Sequence, residues 1–343
     1  MTQHLAAHPR AASRHLARIL AVGTALTMTL GLAACAPAAT EEAGSASATR
    51  TVETDFGPVE VPVDIERIVS VDFYTPAALV DVGVNPVGVV NSYFTDTKGA
   101  AVPLEYSSVV VDSGATSIGE YYELNIEAVA AAKPDVILAT SDFLPLDDPL
   151  REQMEKIAPI ITFSARDQLS WKTRADAVAD LLGKQDELAP VKAAYEERLS
   201  EVREEHAELL ATQSVTVFVP VEEEWGTYAS SHFSSGVLFD LGAKFREQQD
   251  DEINEARFPN WFSYEELGRI SNADIVLWNS NEDPLPRLSE NAIWNNLPAV
   301  QSGLVYKFIP RSATGSYGWA LDNLNGIDAI LDQAELQLAS KQG

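Results

Sequence analysis

The chain is poor in the residues that build metal cages, disulfides and basic faces. One cysteine among 343 residues excludes an internal disulfide and a paired-cysteine redox centre. Of 5 histidines, His4, His8 and His15 sit near the amino terminus, leaving His206 and His232 for the body. That is too few for a multi-histidine zinc or manganese site, and no protein-held metal or cofactor is expected. Cations are scarce as well: 24 Lys+Arg against 51 Asp+Glu give a formal charge of −27. A nucleic-acid partner needs a basic face to displace counterions, so that class is excluded. No glycine-rich phosphate cradle is present, and the string nearest to a nucleophile elbow, Thr314-Gly-Ser-Tyr-Gly318, has the wrong spacing. The apolar run from Ile19 to Leu32 is short for a membrane span.

That run has another use. Arg10, Arg14 and Arg18 precede it, and it ends in Leu32-Ala33-Ala34-Cys35, small residues leading into the lone cysteine. The pattern is that of an export signal and resembles the lipobox of bacterial lipoproteins. The resemblance implies that residues 1–34 are a signal peptide and that Cys35 is lipidated. Residues 35–50, rich in Ala, Ser, Thr and Glu, read as a flexible tether. The body is thus expected on the extracytoplasmic face of the bacterial cell membrane, held there by a lipid anchor.

With 46% hydrophobic and 22% charged residues the body is ordinary globular material, and its length favours two lobes over one core. Thr51 to Pro62 alternates around Gly57 and predicts a hairpin. Strands are expected at Ile68–Val71, Val87–Val90, Val136–Leu138 and Ile160–Phe163. Helices are expected at Thr75–Val82, Asn125–Ala132 and Leu150–Ile157. The second half repeats the scheme: strands at Val215–Val219, Ile275–Trp278 and Leu304–Phe308, with helices at Val237–Leu241, Tyr264–Ile270 and Leu321–Leu338. Such alternation predicts an α/β fold of two lobes, each with a mainly parallel sheet flanked by helices. Between them Leu188, Val191, Tyr195, Leu199, Val202, His206 and Leu209 form one stripe over Asp186–Thr212. One long α-helix of roughly 24 residues, about 36 Å, would bridge the lobes. The expected units are an N-terminal lobe (51–170), a helical segment with the interlobe helix (171–212) and a C-terminal lobe (213–343). Asn125-Ile-Glu127, running to Pro134-Asp135-Val-Ile-Leu138, is echoed by Ser263-Tyr-Glu265, running to Ala273-Asp274-Ile-Val-Leu277.

The series Arg67-Ile-Val-Ser-Val71, Val82-Gly-Val-Asn-Pro-Val-Gly-Val89, Asn125-Ile-Glu127, Lys133-Pro-Asp-Val-Ile-Leu138 and Trp294-Asn-Asn-Leu-Pro-Ala-Val300 resembles the substrate-binding lipoproteins of ABC importers. The branch is the helical-backbone group for ferric siderophores, haem or cobalamin. The resemblance implies a monomeric receptor, not an enzyme, that captures a ferric siderophore between its lobes. It would deliver it to a membrane permease driven by a separate ATPase, with iron present only inside the chelate. A haem or cobalamin receptor is the alternative within the fold. A scaffold or adhesion lipoprotein, or a hydrolase using His232 among its neighbouring serines, is the alternative outside it. The same resemblance assigns Glu127 and Glu265 to permease docking, with Glu266 open as the second acid. Acids in a first helical turn also serve as caps, and Ser263 with Glu266 has the capping-box spacing.

A receptor for a bulky chelate needs flat faces and a few donors at the strand ends. Tyr74, Tyr93, Tyr121, Tyr122 and Phe143 are the candidates in the first half; Trp225, Trp261, Trp278, Tyr317 and Trp319 are those in the second. Arg166, Arg257 and Arg311 are the arginines in segments expected to reach the cleft, and Arg257 and Arg311 complete the ligand set. So few cations suit a weakly charged ferric complex, of the hydroxamate type. Trp171 and Trp294 are assigned to packing.

Overall fold

A computed structural model describes residues 48–72, 74–91, 114–120, 123–164, 170–227, 236–245, 260–280, 286–308 and 316–341. The first elements of the described residues form the expected hairpin, strand β1 (Thr49–Thr54) antiparallel to β2 (Gly57–Pro62). Gly57 takes φ +103°, a value that side chains resist, and Thr54 Oγ1 donates to Gly57 O across the turn at 2.7 Å. The hairpin tip is tied down by Asp55 N–H to Thr162 O (3.2 Å) and by the Arg151 guanidinium 4.8 Å from the Phe56 ring.

The first lobe is built on β3 (Ile68–Ser70), α1 (Thr75–Asp81), β4 (Gly88–Val89), β5 (Thr116–Ser117) and a small ribbon, β6 (Gly119–Glu120) with β7 (Glu123–Leu124). It continues with α2 (Ile126–Ala131), β8 (Val136–Thr140), α3 (Pro149–Glu155), β9 (Ile160–Phe163) and α4 (Ser170–Leu182). Its sheet has the order β5-β4-β3-β8-β9 and every pairing in it is parallel. At Gly119, with φ +103°, an added Cβ would lie 2.5 Å from Glu123 O, so the ribbon admits only glycine there.

The bridging helix α5 runs Gln185–Glu205 and is followed at once by α6 (Ala207–Thr212). The sequence predicts one continuous helix; the structure bends it at His206, while His206 N–H to Val202 O (3.1 Å) and Leu210 N–H to His206 O (2.9 Å) carry the hydrogen bonding through. Pro190 is tolerated in the opening turns.

The second lobe comprises β10 (Ser214–Pro220), β11 (Glu224–Thr227), α7 (Gly236–Asp240), β12 (Lys244–Phe245), β13 (Asn260–Ser263), a 3₁₀ turn (Tyr264–Ile270) and β14 (Ile275–Trp278). The short helices α8 (Pro286–Glu290), α9 (Ala292–Asn295) and α10 (Pro298–Ser302), strand β15 (Val305–Lys307) and the terminal helix α11 (Tyr317–Ser340) complete it. Strands β12 and β14 join β10 in parallel, and β15 joins β14 in parallel. Strands β11 and β13, absent from the sequence reading, add an antiparallel flank. The turn at Val221–Glu223 folds the chain back so that Trp225 pairs with Pro220.

The internal echo has a structural meaning. Asp135 Oδ2 accepts from the backbone N–H of Glu66 (2.9 Å) and Arg67 (2.8 Å), at the entry to β3. Asp274 Oδ2 accepts from Ser214 N–H and Ser214 Oγ, both at 2.8 Å, at the entry to β10. In each lobe one carboxylate thus fixes the amino end of the first strand to its neighbour.

One hydrophobic core serves both sheets. It includes Ile68 and Leu138 from the first, Val217 and Leu277 from the second, and Trp171, Tyr195 and Tyr317 from α4, α5 and α11 between them. The rings of this trio stand 5.6, 5.0 and 5.9 Å apart by centroid. The described residues form one compact unit. No helix among the described residues is long and apolar enough to cross a membrane.

Candidate functional site

The carboxyl ends of β3, β8 and β9 form the best-defined polar cluster of the first lobe. Asp72 follows β3 and is fully buried. Its Oδ1 accepts from Tyr74 N–H and Thr75 N–H, both at 2.7 Å, and its Oδ2 from Thr75 Oγ1 at 2.8 Å, which opens α1. Tyr74 is thereby turned toward Phe143, beyond the end of β8, and the two rings meet edge to face at 5.3 Å. These are two of the predicted ligand-facing aromatics, and the fold brings them together. Behind the Tyr74 ring lies Arg174 of α4, its guanidinium carbon 5.1 Å from the ring centre. Arg174 is 3% exposed and donates to Ser164 O, just past β9, at 3.3 Å. It also lines a half-open groove of about 230 Å³ with Thr54, Thr162, Ser164 and Thr173.

Burial pushes the Asp72 carboxyl above its ordinary value, against its hydrogen bonds and the nearby Arg174. Burial likewise lowers Arg174, opposed by the negative ends of Asp72, Tyr74 and Asp142. Arg174 and Asp72 were not among the candidates. The signal was present: Trp171, Arg174, Ala175 and Val178 fall on one helical stripe, and an arginine on an apolar stripe needs a buried partner.

Other candidates lie elsewhere. Trp225 is fully buried, stacked on Phe218 at 5.4 Å, with its Nε1–H donating to Ser263 O at 3.0 Å. Trp278 is 3% exposed and packs on Phe218 and Trp294. Both are packing residues here, because the antiparallel flank and the short helices cover the face expected to stay open. Tyr317 and Trp319 are buried as well, since α11 begins a turn earlier than the sequence suggests and carries them into its first turn. Trp261, on strand β13, is 45% exposed. Trp171 and Trp294 are core residues, as assigned. Cys35, Tyr93, Tyr121, Tyr122, Arg166, Arg257 and Arg311 lie outside the described residues.

Both docking candidates are exposed in first turns. Glu127 opens α2, where Asn125 caps Ala128 N–H at 3.0 Å. Glu265 opens the 3₁₀ turn, its own N–H capped by Ser263 Oγ at 3.1 Å. Glu266 does not close the expected capping box; it pairs with Arg269 at 3.1 Å.

Two α/β sheets joined by a single long helix, with aromatic and polar groups at strand ends, define a two-lobed solute receptor. The chain belongs to the periplasmic binding protein family, whose sequence model matches residues 68–311. It is 25% identical over 334 residues to YhfQ of Bacillus subtilis, provisionally named an ABC transporter substrate-binding lipoprotein, covering 94% of this chain and 98% of that one. It is 25% identical over 263 residues to the Fe(3+)-citrate-binding protein YfmC of the same organism, covering 75% and 77%. Among solved structures it resembles the siderophore periplasmic binding protein from the fuscachelin gene cluster of Thermobifida fusca. That similarity has a TM-score of 0.62 and 25% identity, over 80% of this chain and 98% of that one.

Proposed function

We propose that the chain is an extracytoplasmic, lipid-anchored receptor of an ABC importer that captures a ferric siderophore between its lobes. The likeness to a siderophore-binding structure over 98% of that protein's length carries this reading. Cys35 would hold the anchor, residues 35–50 the tether, and lobes 51–170 and 213–343 the two walls. Tyr74, Phe143 and Trp261 supply aromatic faces from the described residues; Tyr93, Tyr121, Tyr122, Arg257 and Arg311 are proposed to join them. Iron would arrive wrapped in its chelator and need no ligand from the protein, and the receptor would act as a monomer.

The proposed guest is a weakly charged ferric complex of hydroxamate type, since Arg174, the buried cation at these strand ends among the described residues, is offset by Asp72. Titration of tryptophan fluorescence decides: ferric desferrioxamine should quench at lower concentration than a ferric tris-catecholate, and the reverse order would remove the hydroxamate assignment. Saturable quenching by haem or cobalamin alone would replace the siderophore.

For docking, the pairing of Glu266 with Arg269 leaves Glu265 as the unengaged acid of its turn. Changing Glu127 and Glu265 together to Ala should abolish uptake of the bound chelate in cells while leaving its affinity unchanged. Normal uptake by the double variant would sink the docking assignment.

A further inference from the structure

Among the described residues two arginines are buried, and they are used differently. Arg151 is consumed by structure: it pairs with Glu155 at 3.0 Å, donates to Leu144 O and Thr162 Oγ1, and lies against Phe56 of the hairpin. Arg174 sits where three strand ends meet. It reaches Ser164 after β9, lies behind Tyr74 after β3, and shares the electrostatics of Asp72 and of Asp142 after β8. Burying a guanidinium is costly, and an aliphatic side chain of similar volume would hold α4 to the sheet more cheaply. Ser164, Tyr74, Asp72 and Asp142, which it meets, all follow strand ends.

We propose that Arg174 is a positioning residue for ligand capture: from behind the Tyr74 ring it fixes that ring against Phe143 and polarises its phenol toward the oxygens of the chelate. The proposal rests on reading this mouth as the ligand surface. A cation over a phenol ring draws electron density from it, so the in-plane hydroxyl becomes a stronger donor. A ring already held in one orientation also loses less freedom when a ligand arrives. Asp72 completes the device by holding the Tyr74 backbone with the same carboxylate that offsets the guanidinium.

The test combines Arg174→Gln, Tyr74→Ala and their double variant, with Arg174→Met as the substitute should the glutamine variant fail to fold. Affinity for ferric desferrioxamine and ferric citrate is read by tryptophan quenching. The tyrosine ring resonances of the ligand-free protein are read by carbon-13 NMR, the Tyr74 signal being identified by its loss in Tyr74→Ala. Arg174→Gln should raise Kd by about tenfold. The double variant should bind no worse than Tyr74→Ala alone, and the Tyr74 resonance should shift and broaden when Arg174 is replaced. Wild-type affinity in Arg174→Gln, or losses that multiply in the double variant, would overturn the proposal, as would an unmoved Tyr74 resonance. Should the wild-type protein bind neither chelate, the ligand reading fails by itself. The role in capture falls with it, and the resonance then tests only whether Arg174 holds the Tyr74 ring, an unmoved signal ending that as well.

Discussion

At the scale of single residues, the contact between the bridging helix and the terminal helix turns on His206. Its ring is 2% exposed, with Nδ1 at 3.0 Å from Glu335 Oε1 and Nε2 at 3.1 Å from Asp328 Oδ1. Asp332 stands 3.9 Å away, and Arg198 shares Asp328 and neutralises it from the α5 side. Burial alone would lower the imidazole, but the hydrogen bonds and charges of Glu335 and Asp328 outweigh it and raise the pKa. A raised folded-state value stabilises the fold fully below the unfolded value, about 6.5, and the benefit is lost as pH rises through the folded value. His206→Gln should therefore cost about 1–2 kcal/mol at pH 6, with the gap to wild type closing at alkaline pH. Urea midpoints across pH check this, and a gap that widens with pH would contradict it.

At the scale of elements, α11 is held at its start from the opposite lobe. Ser316 Oγ accepts from Trp319 N–H at 3.0 Å, while Asp81, ending α1, accepts from Gly318 N–H at 3.3 Å. Burial pushes the Asp81 carboxyl up to about 7, against the hydrogen bonds it accepts from Gly318, Tyr317 and Ser316. Because its folded-state value lies above the unfolded one, stability from this group is present in acid and lost between about pH 4 and 7. Asp81→Asn keeps an acceptor without the charge. It should raise stability at pH 8 by about 1 kcal/mol, discounted for partial exposure, and make no difference near pH 4. Thermal melts at the two values check it.

The elements legible in the sequence are those whose pattern has one explanation. Ile160–Phe163 and Ile275–Trp278 are short apolar runs between breakers, and both form strands with the expected bounds. Strand β11 was hidden because Glu222, Glu223 and Glu224 read as a solvated loop, although the strand needs only Trp225 to face inward. The early start of α11 was hidden because Tyr317-Gly-Trp319 carries no helix-start pattern beyond the Ser316 cap. The mouth was half legible. Tyr74 and Phe143 follow strands, and that rule names them as candidates; Arg174 lies on a helix, where position after a strand says nothing.

At the scale of the whole molecule, the bridge is not a free rod. Trp171, Tyr195 and Tyr317 lock α4, α5 and α11 into the core shared by both sheets. Salt bridges repeat the connection: Lys172 to Asp240 at 2.6 Å links α4 to α7, and Lys192 to Asp176 at 3.1 Å links α5 to α4. Unfolding should accordingly be one cooperative transition, with circular dichroism and tryptophan fluorescence giving the same midpoint. Trp171→Ala should lower stability by about 3–5 kcal/mol and move both probes together. Loss of one lobe's signal before the other's would show that the core is divided.

The paired aspartates at the strand entries have an evolutionary consequence. Asp135 and Asp274 secure sheet registration at the end remote from the mouths. Substitutions in the segments beyond the opposite strand ends therefore leave these anchors untouched, and the proposed guest surface is free to vary on a fixed frame.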